Sequence, residues 1–451
     1  MGLLLLRVAT RKGTHMDITF NKIVSFAPSA HNRDDVGMPK TCQVGGTIRA
    51  RYSSASITRV IREHVRTRLI QKSKGIMSDT CLLPMAVLKR LREDRQNIDP
   101  KLLGRLLVLL LPANCLDKEW FLDPAVLKCR YAGRYTSEDI NGISSFIAKN
   151  LDEMQGSDEF KELLAIEAKL VEEHKNKGKA KKKDGQKKND EPKTTKNRFS
   201  KALKESLSGL PIPTDLSLFG RFLADKEMPI ETVVSSVQVS DAFSTHESLP
   251  ERDFFSRGDD FSKEFKQQGS SIIGTKYFNA PTMFFEANVN LDGMIANMIA
   301  QDPKVNKEDV KAAALEGISL FMEAWAFSMT KVGQTSSSDY PLPSFLGVTV
   351  AECPITYKPA FVQPVYYANE SYRNDAISES VNRLLQSKDV NGFLFSLNKV
   401  TKFDRWISTT ETKEPKPERA KSFDDLNKEF VASMGKIIDQ VVEQTVANLP
   451  R

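Results

Sequence analysis

Between Lys175 and Arg198 the chain reads KNKGKAKKKDGQKKNDEPKTTKNR, polar, glycine-containing and almost free of apolar residues. Such a stretch cannot bury enough surface to offset the entropy lost on ordering it. It therefore divides the sequence, and a fold must be assembled from what precedes and follows it. The same stretch distorts the charge balance. From Lys175 to Lys204 there are thirteen Lys or Arg and three Asp or Glu, an excess of +10, whereas the whole chain carries +7. The rest is at −3, so the protein is not globally basic. The run reads as a solvated, disordered loop, or as a nonspecific arm drawn to nucleic-acid phosphates by counterion release.

A second basic cluster has the apolar residues it needs to fold. Arg49, Arg51, Arg59, Arg62, Arg66, Arg68, Lys72 and Lys74 lie close together, with Glu63 as the one acid among them. Ile57, Val60, Ile61 and Val65 recur at helical spacing, and Arg59, Arg62 and Arg66 fall on the opposite side. One face docks on a core while the other presents guanidinium groups to a partner, or forms an ordinary solvated basic face. Ser53 and Ser54 stand where a helix cap is expected. A helix N-terminus with exposed N–H groups suits a phosphate.

Composition narrows the class. The 451 residues suggest two or three domains, and 40% hydrophobic content allows a sizeable core. No apolar run approaches the ~20 residues of a membrane helix. Leu3 to Leu6 is too short for a signal-peptide core, and residues 1–15 read as a leader or scar with Met16 as the start. Cys42, Cys81, Cys115, Cys129 and Cys353 are odd in number, widely spaced and without a CxxC pair. This predicts a reducing, cytoplasmic location and no disulfide framework. His15, His31, His64, His174 and His246 show no i, i+4 pair, so neither a zinc site nor another metal or cofactor is expected.

Periodicity predicts a mixed α+β chain. Asp17–Phe26 alternates as a strand, residues 25–40 read as a loop, and TIRARYS after Gly45-Gly46 reads as a hairpin strand. A helix from about Ser56 to Lys72 follows. Residues 75–174 are predominantly helical, with Leu102–Leu111 apolar almost all round and therefore buried. Phe199–Leu207 reads as another short helix, Thr232–Ala242 as a strand and Met283–Leu291 as a strand. Phe243–Pro281 lacks clear periodicity, which points to a functional loop or hairpin. Asn306–Lys331 contains a long helix burying Ala314, Ile318, Phe321 and Trp325; FLGVTVAECP is a strand, and Asp424–Ala447 a helix.

The first block then suggests a family. Ala27-Pro28-Ser29, Asn32-Arg33-Asp34-Asp35, Lys40, Gly45-Gly46, Arg49, Arg51, Ser53-Ser54, Ser56, Arg59 and Arg62 resemble the start of the backbone subunit of Cascade, the type I-E CRISPR surveillance complex (the CasC family). Further on, LFGRFLADK, SVQVSDAFSTHE, RDFFSRGDDF and GSSIIGTKYFNAPTMFFEANVNL resemble later segments of that family, in its order. Ala55 and Thr58 stand where the family has Gln and Lys, and residues 75–205 are longer than the family pattern.

The resemblance implies an RRM-like (ferredoxin-like) palm with a helical insertion as fingers and a long extended thumb. The palm would take residues 16–62, 211–246 and 283–405. The insertion would take 63–210 with the Lys-rich loop at 175–198, the thumb 247–282, and a linker with a C-terminal helix 406–451. It implies a cytoplasmic, noncatalytic protein whose copies stack along a CRISPR guide RNA beside other Cascade subunits, with a target DNA strand read by base pairing. Because every guide differs, binding must be sequence-independent, and phosphate contacts provide that.

On the matching positions, Arg33, Lys40, Arg49, Arg51, Arg59 and Arg62 are candidates for the guide backbone. Gly45 and Gly46 allow close approach or simply turn a hairpin. Ser54 and Ser56 bond phosphates or cap a helix. Arg221 contacts phosphate or anchors its loop, and Phe222 faces the guide. Phe254 and Phe255 stack on or wedge between bases, or pack in a core. Two other readings stand beside this one. A backbone subunit of a type III-like complex would cut target RNA with a loop aspartate, for which Asp34, Asp35, Asp259 and Asp260 are available. A general RNA-binding scaffold would rely on the lysine run.

Overall fold

The computed structural model describes residues 15–72, 74–94, 96, 98–112, 115–117, 123, 127–177, 198–223, 228–260, 264, 270–300, 305–329, 339–366, 375–411 and 418–448. Nearly all of the lysine run and of the first fifteen residues lies outside them.

Alternating apolar residues make Asp17–Ser25 (β1) a strand buried almost throughout. Thr41–Val44 (β2) and Thr47–Tyr52 (β3) form the expected hairpin. Gly45 and Gly46 turn it with φ of +59° and +82°, as a type I′ turn requires. Helix Ser54–Gln71 (α1) buries Ile57, Ile61, Val65 and Leu69 on one side. Then come Met77–Thr80 (β4), Leu83–Glu93 (α2), Pro100–Leu110 (α3), Gly133–Thr136 (β5), Ser137–Gly156 (α4), Asp158–Lys177 (α5), Arg198–Leu207 (α6) and Thr214–Phe219 (α7). Val237–Val239 (β6) and Ala242–Ser244 (β7) precede a hairpin, Glu251–Gly258 (β8) with Ser270–Phe278 (β9). The chain ends through Thr282–Asn290 (β10), Leu291–Ile299 (α8), Lys307–Phe327 (α9), Phe345–Ala351 (β11), Ala376–Leu394 (α10), Thr401–Ser408 (β12) and Phe423–Ala447 (α11).

These elements form two units. The first gathers the described residues of Met1–Arg68, Ser236–Ala296 and Asn306–Arg451, the second those of Leu69–Ser235 and Asn297–Val305. In the first, an antiparallel sheet runs β12-β11-β1-β10-β7-β3-β2, with β6 also on β10. Successive residues of a strand face opposite sides. Phe20 therefore packs on Phe321 and Trp325 of α9 and Phe430 of α11, while Ile23 joins Phe284, Phe345, Phe361, Val381 and Leu384 on the other side. The sheet is covered on both faces. The predicted apolar face of α9, with Ala314, Ile318, Phe321 and Trp325, is buried.

One residue breaks the apolar face that Ile18, Phe20 and Val24 make on β1. Lys22 is buried beneath α9, where its ammonium donates to the Trp325 carbonyl at 2.7 Å and lies 4.9 Å from the Trp325 ring. Burial pushes this amine down to about 7.

The second unit is mainly helical. Leu83, Val87 and Leu91 of α2, Leu103, Leu106, Leu107 and Leu110 of α3, Ile143 and Ile147 of α4, and Phe199, Leu203 and Leu207 of α6 share one core. Asp99 caps α3 by accepting from the Leu102 N–H, with Pro100 at its first position. Thr136 and Asp139 form a capping box on α4. The helical reading of 75–174 missed one feature, the short β4–β5 pair with Met77 opposite Thr136.

The strand expected over Thr232–Ala242 is broken. Val233 makes a single bridge to Arg221, and regular pairing resumes at Val237 and again at Ala242. Serine hydroxyls cause part of this: Ser235 donates to the Leu218 carbonyl and Ser240 to the Glu286 carbonyl.

Candidate nucleic-acid interface

In the first unit the loop before β2 is tied down by its own polar residues. The Asp34 carboxylate accepts from the Val36 and Met38 N–H groups, at 3.1 and 2.8 Å, and Gly37 takes φ +88°. Lys40 N–H donates to the Asn32 carbonyl, and Arg51 N–H to the Lys40 carbonyl. The Asn32 side chain accepts from Ser53 N–H at 3.1 Å. This loop therefore lies against β3 and the start of α1. It presents Arg33 to solvent and leaves Lys40 half-buried.

The start of α1 is capped from a distant part of the chain. Asp241 accepts from Ser54 N–H and from the Arg51 guanidinium, each at 2.7 Å. Partial burial raises the Asp241 carboxyl, but these two donors together hold it below the usual carboxylate range. A carboxylate therefore already occupies the position expected for a phosphate. Ser56 is half-buried, its N–H bonded to the Ser53 carbonyl. Arg59 is 73% exposed and paired with Glu63 one turn on; Arg62 is half-buried on the same helix and Arg66 exposed.

Arg49 is a correction. It is fully buried (0% exposed), not on a surface that could grip a strand. Its guanidinium donates to Thr47 Oγ1 at 2.7 Å and to the Ser244, Phe361 and Val362 carbonyls at 2.7, 3.4 and 3.3 Å. Gly45 serves the same junction: a Cβ there would lie 1.7 Å from the Val362 oxygen, so the close approach is to its own chain. Gly46 has open space beside it.

In the second unit, Gly220, Arg221 and Phe222 make one device. Gly220 takes φ +64°, and a Cβ there would meet the Ser235 nitrogen at 2.5 Å. Arg221 is 4% exposed, donating to Asp139 at 2.5 Å and to the Glu231 carbonyl at 2.8 Å. The anchoring alternative therefore holds for Arg221, and phosphate contact is corrected. With its neighbour pinned, Phe222 stands 81% exposed.

The region read as a loop or hairpin is a hairpin. Phe254 and Phe255 sit on β8 opposite Thr275 and Gly274 of β9. Being adjacent on a strand, they face opposite sides and make no single aromatic platform. Phe254 is 64% exposed. Phe255 lies over Gly274 with the Lys276 ammonium 4.8 Å from its ring.

Two sites outside the predicted set invite a catalytic reading. Ser29, His31 and Asp339 are buried together, with His31 Nε2 2.9 Å from Asp339. Ser29 and Asp339 both meet this one nitrogen, so no relay through the ring exists. Burial lowers the imidazole despite the Asp339 charge. A groove of about 650 Å³ is lined by Val44, Phe243, Glu286, Asn288, Ile355 and Lys358, among others. Glu286 there already accepts from Thr356 Oγ1, Tyr357 N–H and Asn21, at 2.6, 2.7 and 3.2 Å. Among the described residues no cluster of three His, Cys, Asp or Glu could hold a metal, and no helix is long and apolar enough to cross a membrane.

Sequence reasoning missed Asp241, which is distant in sequence from the helix it caps and carries no local signal. It could have found Asn32 and Asp34 as loop formers, because Asn and Asp side chains bond nearby backbone.

A comparison with curated proteins gives no match. Two solved structures described as a CRISPR RNA-guided surveillance complex contain similar chains. The chain is 24% identical to one from the pre-nicking complex, with a TM-score of 0.65, over 93% of this chain and 100% of that one. To the other it is 21% identical, with a TM-score of 0.61, over 92% and 99%. At these identities the likeness is one of fold. The sequence profile of the CT1975-like protein family matches residues 18–433, and the chain belongs to that family.

Proposed function

We propose that this protein is a noncatalytic backbone subunit of a Cascade-type CRISPR surveillance complex, of the CasC kind, binding guide RNA through phosphates in the cytoplasm. Family and fold support the reading, since the similar chains belong to RNA-guided surveillance complexes. So does the strand order. In chain order β1, α1, β7, β10, α9 and β11 follow a β-α-β-β-α-β plan, and their strands lie side by side as β11-β1-β10-β7. That order supports reading the sheet as a ferredoxin-like, RRM-type palm. The helical unit is inserted between α1 and β6 as fingers, and the β8–β9 hairpin between β7 and β10 as a thumb.

The observation that carries the proposal is the set of solvent-reaching cations at the start of the first unit. Arg33 and Arg59 are exposed, and Lys40 and Arg62 half-exposed, on a loop and helix fixed to each other through Asn32 and Ser53. Cations held on a rigid frame position a ribose-phosphate strand without reading its bases. Ser56 adds a hydroxyl, while Arg51 and Ser54 support the surface through Asp241. Phe222 and Phe254 supply exposed rings for base stacking, which tolerates any base. Copies stack head to tail into an open helical array, beside other subunits, and the target DNA strand is selected by pairing with the guide.

The double substitution Arg59→Glu, Arg62→Glu tests this. Guide RNA binding should be lost while the monomer keeps its circular dichroism and melting behaviour. Unchanged RNA affinity at moderate salt overturns the assignment.

A further inference from the structure

We infer that Cys115 and Cys129 are a paired modification site in the helical unit, closing into a disulfide when a hydroperoxide reaches them. Their sulfurs are 3.9 Å apart, with the Cys115 thiol directed at Cys129. The approach is built by backbone pairing. Leu116 bridges to Cys129, Arg130 N–H donates to the Cys115 carbonyl at 2.8 Å, and Asp117 N–H to the Lys128 carbonyl at 2.9 Å. Cys129 is also held by its own N–H, donated to the Cys81 carbonyl at 2.7 Å. A disulfide needs the sulfurs about 2.0 Å apart, a shift of roughly 2 Å that side-chain rotation can cover.

The surroundings assign different roles to the two thiols. Cys129 is buried in the core and Cys115 is only partly covered. Cys115 is thus the sulfur a small oxidant meets first. The hydrogen bond from Cys115 lowers the Cys129 thiol, against the opposing effect of burial, and a bond from the Tyr135 hydroxyl adds to the lowering. Cys129, 3.9 Å from the Cys115 sulfur, is placed to act as the resolving nucleophile.

The chemistry balances with hydrogen peroxide as the oxidant. The Cys115 sulfur attacks one peroxide oxygen, the O–O bond breaks, and sulfenic acid and one water result. The Cys129 thiolate then attacks the Cys115 sulfur and expels hydroxide, which takes up the proton Cys129 released. Two thiols and one peroxide give one disulfide and two waters. The link closes the segment between the two cysteines and restricts the unfolded chain.

The test uses the full chain, exposed to mild hydrogen peroxide and then denatured. Titratable thiols should fall from the five in the sequence by two, and dithiothreitol should restore them. Peptide mapping should show a Cys115–Cys129 link lighter by two hydrogens than the paired thiol peptides. The oxidised protein should melt higher than the reduced one, and Cys115→Ser should remove both effects. Cys115 is only partly buried, so this variant is expected to fold; should it not, wild-type titration and mapping decide. An unchanged thiol count, a link through Cys81, or sulfinic acid on Cys115 without a link overturns the inference.

Discussion

The end of β3 and the first turns of α1 are neighbours in sequence and alike in charge, yet the fold uses them in opposite ways. Arg49 is buried among carbonyl oxygens at the junction of β3, β7 and the turn ending at Val362. Arg59 projects into solvent beside Glu63. A guanidinium has five donors in a rigid fork. At Arg49 that fork closes a gap where backbones from three parts of the chain leave acceptors facing each other. At Arg59 the helix has used its own carbonyls, so the fork faces outward. Density of positive charge along a chain therefore marks a region, and the supply of unused acceptors decides which cation binds a partner.

Four substitutions break or sharpen this contrast, in order of expected effect. Arg49→Ala should cost ~3–5 kcal/mol, because it leaves buried acceptors unpaired and opens a cavity. Denaturant titration should show this, with RNA affinity per folded molecule unchanged. A stable variant that binds RNA poorly would reverse the comparison.

Lys22 is another buried cation in the same unit, and unlike arginine it can discharge. Its amine sits near 7 when folded against 10.5 unfolded. Below about pH 7 both states hold the proton, and stability does not vary with this group. Between about 7 and 10.5 the unfolded chain binds the extra proton, so stability rises with pH. Lys22→Met should flatten that rise and stabilise the protein by ~1–4 kcal/mol at neutral pH. A lysine that titrates normally in the folded protein would contradict this.

Phe222→Ala should weaken RNA binding by ~1–3 kcal/mol, the range for one stacked base, with an unaltered melting curve. A loss of stability instead would show that the ring packs against protein.

Asp241→Asn should have the smallest effect, ~0.5–1 kcal/mol, because the pair with Arg51 is partly solvated. Asp241 titrates below its ordinary value of 3.8 when folded. Its contribution is complete above about pH 4 and is lost as pH falls through the folded value. The variant should lack that acid-side loss, and an unchanged acid melting profile would remove Asp241 as the cap of α1.

Much of the architecture was legible from periodicity. β1, β10 and β11 are buried almost throughout because α9 and α11 cover one face of their sheet and α10 packs on the other. α1, α3, α9 and α11 were recognisable from their apolar stripes. The break at Ser240 was not legible, because a serine hydroxyl bonding the Glu286 carbonyl leaves no mark on hydropathy. Nor was α10, whose polar residues include Lys388, buried against Asp404 at 2.7 Å. In the site, the motif positions Arg33, Arg59 and Phe222 fall on the surface as expected. Arg49 and Arg221 do not, since burial of an arginine depends on acceptors that arrive from distant residues.

Sequence alone determined the strand and helix content, the glycine turn at Gly45-Gly46 and the concentration of cations around α1. Each depends on side chains a few residues apart and on the φ values glycine permits. Tertiary structure decided which cations are bound internally and which remain outward. It also placed Asp241 on the start of α1 and Asp139 against Arg221. Those pairings join residues far apart in the chain, and only a closed fold holds them at hydrogen-bonding distance.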